Sequence, residues 1–164
     1  MENTQSVVCE FTELLEHEGL HSALAFLNRR TRHRYTVLYR FEPPMLRSVC
    51  QYDRENPALH VGSDSPMHET YCSIVGDSET TFSTPDALGD ERLDTHPARA
   101  SIQAYCGAPV VNRNGVCVGS LCHFDLRPRL IPETEIPVLE RIAGLLGESC
   151  TLAAQEGAHR TQHT

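Results

Sequence analysis

The sequence predicts one α+β domain, in which helices cover an antiparallel sheet of five or six strands. Stretches with apolar residues every three or four positions lie near both ends of the chain and indicate amphipathic helices. Between them, short apolar runs alternate with turn residues, which is typical of hairpins. The 164 residues suit a single domain. We expect it to span residues 1–164, with a core at about 5–152 and a disordered tail at 155–164.

Two helices are predicted at the start of the chain. The first covers about residues 3–17, where Val7, Phe11 and Leu14 share one face, and Gly19 ends it. The second starts near Leu20 and ends in a basic cluster, which comprises Arg29, Arg30, Arg32, His33 and Arg34. Cations are stabilised at the C-terminus of a helix, so this cluster needs no anionic ligand.

Five segments have the composition of strands: residues 35–41, 45–52, 80–84, 104–111 and 116–124. The first two should form a hairpin around Pro43 and Pro44. The last two should form another, because Asn114-Gly115 between apolar runs is a strong turn signal. The polar residues 53–66 between them predict a long loop, and such loops often carry function.

Helical structure is predicted in three further places. Ser65 before Pro66 resembles a capping residue followed by the first helical position, so we expect a short helix over about 66–73 that Gly76-Asp77 closes. Residues 86–101 predict mixed loop and helix. A final amphipathic helix is expected over about 133–153.

Composition and charge disfavour several classes of partner. A net charge of -8 would repel a nucleic-acid backbone, so no nucleic acid is expected. No apolar run approaches the roughly 20 residues of a membrane helix, and the first residues do not resemble a secretory signal. Seven cysteines without CxxC spacing suit free thiols in a reducing compartment. We therefore expect a cytoplasmic protein without membrane contact.

Four stretches together resemble the GAF family: residues 69–75 (ETYCSIV), 84–92 (TPDALGDER), 102–110 (IQAYCGAPV) and 114–129, which contains GSLCHFD and PR. The resemblance covers about residues 5–150. It implies a sheet with helices on one face, where they form dimer contacts, and a ligand cavity on the other. Members of the family bind cyclic nucleotides, tetrapyrroles, haem or small metabolites.

The resemblance and the need of a pocket for a few convergent polar groups suggest eight ligand-binding candidates. They are Tyr71, Cys72, Asp86, Arg92, His96, Tyr105, Cys106 and His123. Simpler structural interpretations remain open. Asp86 could cap the following helix, Arg92 could pair with Asp90 or Asp94, and the cysteines could be inert core residues.

The second hairpin should place Tyr105 or Cys106 across from Cys122, His123 or Phe124. Alternate strand residues share a face, so Cys122 and His123 should point to opposite sides. Free methionine sulfoxide reductases share the fold, but the cysteine spacing here differs from theirs. The Cys122-His123 pair lies one strand too late for the bilin attachment of phytochromes.

The sequence also lacks a complete set of ligands for a metal site. His68 and Cys72 at i and i+4 would share a helical face, but they supply two ligands where zinc takes three or four from the protein.

The sequence thus predicts a domain that senses a small molecule or redox state and signals through a protein partner, as a homodimer. It assigns no catalytic residue and no metal site, and it leaves the cofactor unidentified. A thiol-dependent reductase of free methionine sulfoxide and a sensor that binds haem or another tetrapyrrole are the alternatives.

Overall fold

The computed structural model describes residues 3–149 and 152. Two helices open the chain: α1 (Thr4–Glu18) and α2 (Leu20–Asn28). The Asn3 side chain caps α1 by accepting a 2.8 Å hydrogen bond from the Ser6 amide. Gly19 separates the helices at a φ of 95°, which glycine adopts without strain. Helix α1 lies within one residue of its expected limits. Helix α2 is also present, but it ends at Asn28, before the basic cluster in which it was expected to finish.

Six strands form one antiparallel sheet in the order β3-β2-β1-β6-β5-β4. They are β1 (Tyr35–Glu42), β2 (Met45–Asp53), β3 (Ser65–Pro66), β4 (Phe82–Thr84), β5 (Ala104–Val111) and β6 (Cys117–Asp125). The α+β fold with five or six strands is therefore confirmed. Both predicted hairpins are present.

The turn between β5 and β6 forms as its sequence predicts. The Asn112 side chain accepts hydrogen bonds from the amides of Asn114 and Val116, and Gly115 has a φ of 79°. This turn pairs Tyr105 with Phe124 and Cys106 with His123 across the two strands. The expected juxtaposition of these positions is confirmed.

The two faces of the sheet have different coverings. On the helix face, α1, α2 and α4 (Glu135–Glu148) bury an apolar core that includes Phe11, Leu24, Leu38 and Ile142. The opposite face, called the cavity face here, is covered by α3 (Cys72–Ser78), by neighbouring loops and by two short 3-10 turns. Its core is smaller and includes Val37, Val75 and Leu93.

The helix predicted over residues 66–73 is wrong. Ser65 and Pro66 form edge strand β3, in which Pro66 has an extended backbone at φ -61° and ψ 130°. A 3-10 turn (Met67–Glu69) follows, and α3 starts only at Cys72. His68 and Cys72 therefore do not share a helical face, which removes the geometry considered for a metal pair. Gly76 lies inside α3, which ends at Glu79 in the left-handed conformation.

Two further boundaries differ from the prediction. Strand β4 starts at Phe82 rather than at residue 80, and the last helix starts at Glu135 rather than at 133. The tail predicted at residues 155–164 lies outside the described residues. Among the described helices, none has the length and apolar character that crossing a bilayer requires.

Candidate functional site

A cavity of about 350 Å³ lies on the cavity face of the sheet. Strands β1, β2, β5 and β6 supply its floor, and residues 63–72 and 98–102 supply its walls. Its volume is near the lower end of the range for small-molecule sites, about 300–1,000 Å³. The lining residues are Tyr35, Tyr39, Leu46, Gln51, Ser63, Ser65, Glu69, Thr70, Tyr71, Cys72, Ala98, Ser101, Ile102, Tyr105, Phe124 and Leu126.

Aromatic rings dominate this lining. Tyr35 and Phe124, which pair across β1 and β6, stack with ring centroids 4.6 Å apart. Tyr71 meets Tyr105 edge-to-face at 5.5 Å, and the Tyr71 hydroxyl donates a 2.8 Å hydrogen bond to the carbonyl of Ile102. Such pairs add to the stability of a wall beyond the area that they bury. The aromatic wall is therefore fixed before any ligand arrives.

Gln51 supplies a polar group that the protein itself does not use. The residue is only 6% exposed and lines the cavity, yet its side-chain amide has no hydrogen-bond partner among the described residues. The hydroxyls of Tyr35 and Tyr39 also lack a partner within this part of the chain. None of these atoms is fully enclosed by the protein, so they remain open to the cavity, where a guest molecule could pair with them.

Buried thiols and hydroxyls meet at one side of the cavity. The Ser120 hydroxyl donates to the sulfur of Cys72 at 3.0 Å, and the Tyr105 hydroxyl lies 3.2 Å from the same sulfur. Burial opposes ionisation of Cys72, but hydrogen bonds from Cys122, Ser120 and Tyr105 outweigh it and lower its pKa. Burial raises the pKa of Cys122 well above its usual value.

Three of the eight predicted site residues meet at the cavity: Tyr71, Cys72 and Tyr105. His96 lies behind this wall, with its ring 4.8 Å from that of Tyr71, and its Nδ1 accepts a hydrogen bond from the Ala98 amide. Burial lowers the pKa of His96 and favours its neutral form. His96 therefore supports the wall without lining the cavity.

Asp86 and Arg92 lie on the surface, outside the cavity. Arg92 pairs with Asp90 at 2.6 Å and places its guanidinium 4.6 Å from the ring centre of Phe82. This pairing lowers the pKa of Asp90 to about 2. Asp86 precedes a 3-10 turn, but its side chain makes no capping hydrogen bond there. The surface ion pair considered for Arg92 is present, whereas the cap considered for Asp86 is not.

Cys106 and His123 lie on the helix face, so the sheet separates them from the cavity. The two His123 nitrogens contact Glu135 at 2.9 Å and the Thr36 hydroxyl at 2.7 Å. Burial raises the pKa of Cys106 to about 12, which keeps this thiol neutral. Neither residue can reach a molecule in the cavity without rearrangement of the sheet.

Sequence reasoning missed Gln51, Tyr35, Tyr39 and Phe124. A signal was present, because Tyr35, Val37 and Tyr39 alternate along β1 and therefore share a face. A glutamine between Cys50 and Tyr52 in an apolar strand was another. Neither signal told which face of the sheet would carry the cavity.

No model of a known protein family matches the chain. It is 29% identical over 114 residues to a cyclic di-GMP phosphodiesterase of Pseudomonas aeruginosa. The match covers 65% of this chain but spans only 19% of the length of that relative.

Solved structures give a more extensive likeness. The GAF domain of an Acinetobacter phosphoenolpyruvate-protein phosphotransferase superposes with a TM-score of 0.74 at 16% identity, over 96% of this chain and 99% of that domain. A free methionine-R-sulfoxide reductase from Neisseria meningitidis, solved with its substrate, gives 0.67 at 15% identity, over 88% of this chain and 86% of the other. The chain has the GAF fold, as its four sequence stretches predict.

Proposed function

We propose that this chain is a sensor domain that binds a small molecule in the cavity and passes the binding event to a protein partner. The observation that carries the proposal is the Gln51 side-chain amide, which faces a preformed aromatic cavity without a hydrogen-bond partner among the described residues. Pockets with mostly apolar walls and a few fixed polar groups are the usual form of small-molecule sites.

The contents of the cavity favour binding over catalysis. Glu69 is the one carboxylate among the described lining residues, and these residues include no histidine or arginine. General acid-base chemistry needs a titratable group within hydrogen-bond reach of the reacting atom, usually with a second group that orients it. The lining therefore suits recognition of a guest more than its conversion.

The reductase alternative receives less support from the geometry. Cys106 and Cys122 belong to opposite faces of the sheet, so they are poorly placed to exchange a disulfide. Among the cysteines that the structure describes, Cys72 is the one that lines the cavity. Turnover of free methionine sulfoxide with a thioredoxin-type reductant, lost in Cys72→Ser, would favour this alternative over the sensor.

A route for the signal starts at Cys72, the first residue of α3. Its sulfur contacts Ser120 of β6, and β6 pairs with β1 and β5, which carry α2 and α4 on the helix face. A ligand that displaces α3 would therefore also shift the strands on which these helices pack. We propose that the helix face forms the homodimer or contacts the partner. The phosphodiesterase relative suggests that turnover of cyclic di-GMP is one response to examine.

A thermal-shift screen of metabolites tests the proposal, because a ligand of the folded state raises Tm with its concentration. Ser101→Trp places a large ring in the cavity lining, while Ala100→Trp changes the exposed neighbour outside it. We expect a compound that raises the Tm of the wild type and of Ala100→Trp but not that of Ser101→Trp. A screen without any such compound, or equal responses of both variants, would overturn the proposal.

A further inference from the structure

The aromatic residues of this chain are concentrated around the cavity. Five of its ten tyrosines and phenylalanines line it: Tyr35, Tyr39, Tyr71, Tyr105 and Phe124. Two of these rings already stack, 20° from parallel, and two others meet edge-to-face. Flat faces and polarised edges of this kind favour contact with another flat ring over contact with a flexible chain.

The unused polar groups have a definite hydrogen-bonding pattern. A glutamine amide presents one acceptor oxygen and two donor hydrogens in a plane. Its complement is a group in which a carbonyl oxygen and an N–H lie side by side, as in a ring lactam. Gly62 packs against this amide so closely that a Cβ there would overlap the Gln51 oxygen. The loop thus restricts the position of the Gln51 side chain.

The residues that line the cavity disfavour anionic guests. None of its described lining residues is arginine, lysine or histidine, and the exposed Glu69 adds a negative charge. Phosphate and carboxylate groups are normally recognised by cations or by helix N-termini. An anionic guest would lose its hydration here without gaining a partner of opposite charge.

From these three observations we infer that the cavity takes a flat, uncharged heteroaromatic molecule with a lactam edge. The lactam exchanges two hydrogen bonds with the Gln51 amide, and the ring packs against the aromatic wall. The Tyr39 hydroxyl supplies a third polar contact. This inference rests on the proposed function, since it names the class of ligand for the same site.

Isothermal titration with related probes tests the inference. Lactams of one, two and three rings are available as 2-pyridone, hypoxanthine and lumichrome. Pyridine and purine share the first two frameworks but lack the lactam, and inosine and inosine 5′-monophosphate differ only in the phosphate. We expect at least one lactam to bind roughly fivefold or more tightly than its lactam-free counterpart. The monophosphate should bind at least about tenfold more weakly than inosine.

Two variants connect this selectivity to the residues named. Gln51→Leu removes the amide at similar size, so it should abolish the preference for a lactam while the bare ring still binds. Tyr39→Phe should weaken the lactam roughly threefold. Tyr52→Phe is the matched control, because Tyr52 packs on the helix face and does not line the cavity. It should leave both affinities unchanged.

The outcomes separate this inference from the proposed function. If anionic metabolites bind and Ser101→Trp abolishes their binding, the cavity is a ligand site but the inferred class is wrong. If the lactams bind equally to wild type and Gln51→Leu, the inference is also wrong. If neither the probes nor the metabolite screen gives a ligand that Ser101→Trp excludes, both proposals fail.

Discussion

Nε2 of His123 lies 2.9 Å from Oε2 of Glu135, and both side chains are completely buried. Oε1 of the same carboxylate accepts a 2.8 Å hydrogen bond from Arg30. These contacts connect the first turn of α4 to β6 and to the segment after α2. They account for the burial of His123 without any ligand, although the sequence had suggested His123 as a ligand-binding residue.

Removal of this carboxylate should destabilise the protein strongly. Glu135→Ala leaves His123 and Arg30 facing a buried gap, and breaking a buried ion pair costs about 3 to 5 kcal/mol. We expect a loss of about 3 kcal/mol in the free energy of unfolding, measured by urea denaturation. Glu133→Ala, two residues earlier and exposed, is the control. A change below about 1 kcal/mol in Glu135→Ala would contradict the structural role of the pair.

Two glycines of α4 should respond in opposite ways to alanine. A Cβ at Gly147 would overlap the carbonyl oxygen of Val111, whereas a Cβ at Gly144 would meet no atom within 4 Å. Gly147→Ala should therefore lower the free energy of unfolding by about 2 kcal/mol. Gly144→Ala should raise it by up to about 1 kcal/mol, because alanine favours the helix. Equal thermal shifts in the two variants would show that α4 does not approach β5 as described.

The elements predicted correctly from sequence are those with local causes. Asn112 and Gly115 determine the second hairpin through turn geometry, and apolar spacing determines α1 and α2. The error at Pro66 has a non-local cause, because Met67 donates a hydrogen bond to the distant carbonyl of Pro44. That contact, together with pairing to β2, holds Pro66 in an extended strand.

The site was predicted less completely than the fold, because the sequence does not show which face of the sheet carries the cavity. Strand alternation correctly separated Cys122 from His123. It could not tell which of the two faces α1, α2 and α4 would cover, and that choice buries Cys106 and His123 away from the cavity. Gln51 was not predicted as a site residue for the same reason.

The rate at which each cysteine is alkylated should depend more on its burial than on the pKa of its thiol. Cys9 is exposed on α1, whereas Cys72, Cys106 and Cys122 are buried. We expect iodoacetamide to modify Cys9 at least about tenfold faster than Cys72 in the native protein, since reaction needs access as well as thiolate. Mass spectrometry of the alkylated peptides measures the rates, and denaturation in urea should make them similar. Rapid native modification of Cys72 would instead indicate that α3 opens readily.

Stability should fall as the solution becomes mildly acidic, because of His33. This residue is 1% exposed, and its Nδ1 is buried without a partner among the described residues. Burial, with the nearby His123, lowers the pKa of His33 to about 3. The unfolded chain takes up this proton near pH 6.5, about the usual histidine value, while the folded chain does not. The contribution of His33 to the free energy of unfolding is therefore most favourable above about pH 6.5, and it becomes progressively less favourable as the pH falls toward 3.

Urea denaturation at about pH 7, 6 and 5 measures this dependence, and His33→Phe should make it shallower by removing one titrating ring of similar size. Some slope should remain, since burial also lowers the pKa of His21 and of His96. The comparison stops at about pH 5 because Asp90, whose pKa is lowered to about 2 in the folded protein, takes up a proton near pH 4 in the unfolded chain and would add its own pH dependence below that range. Above about pH 7 the two proteins should show the same pH dependence. Identical slopes between about pH 7 and 5 would mean that His33 gains access to water in the folded protein.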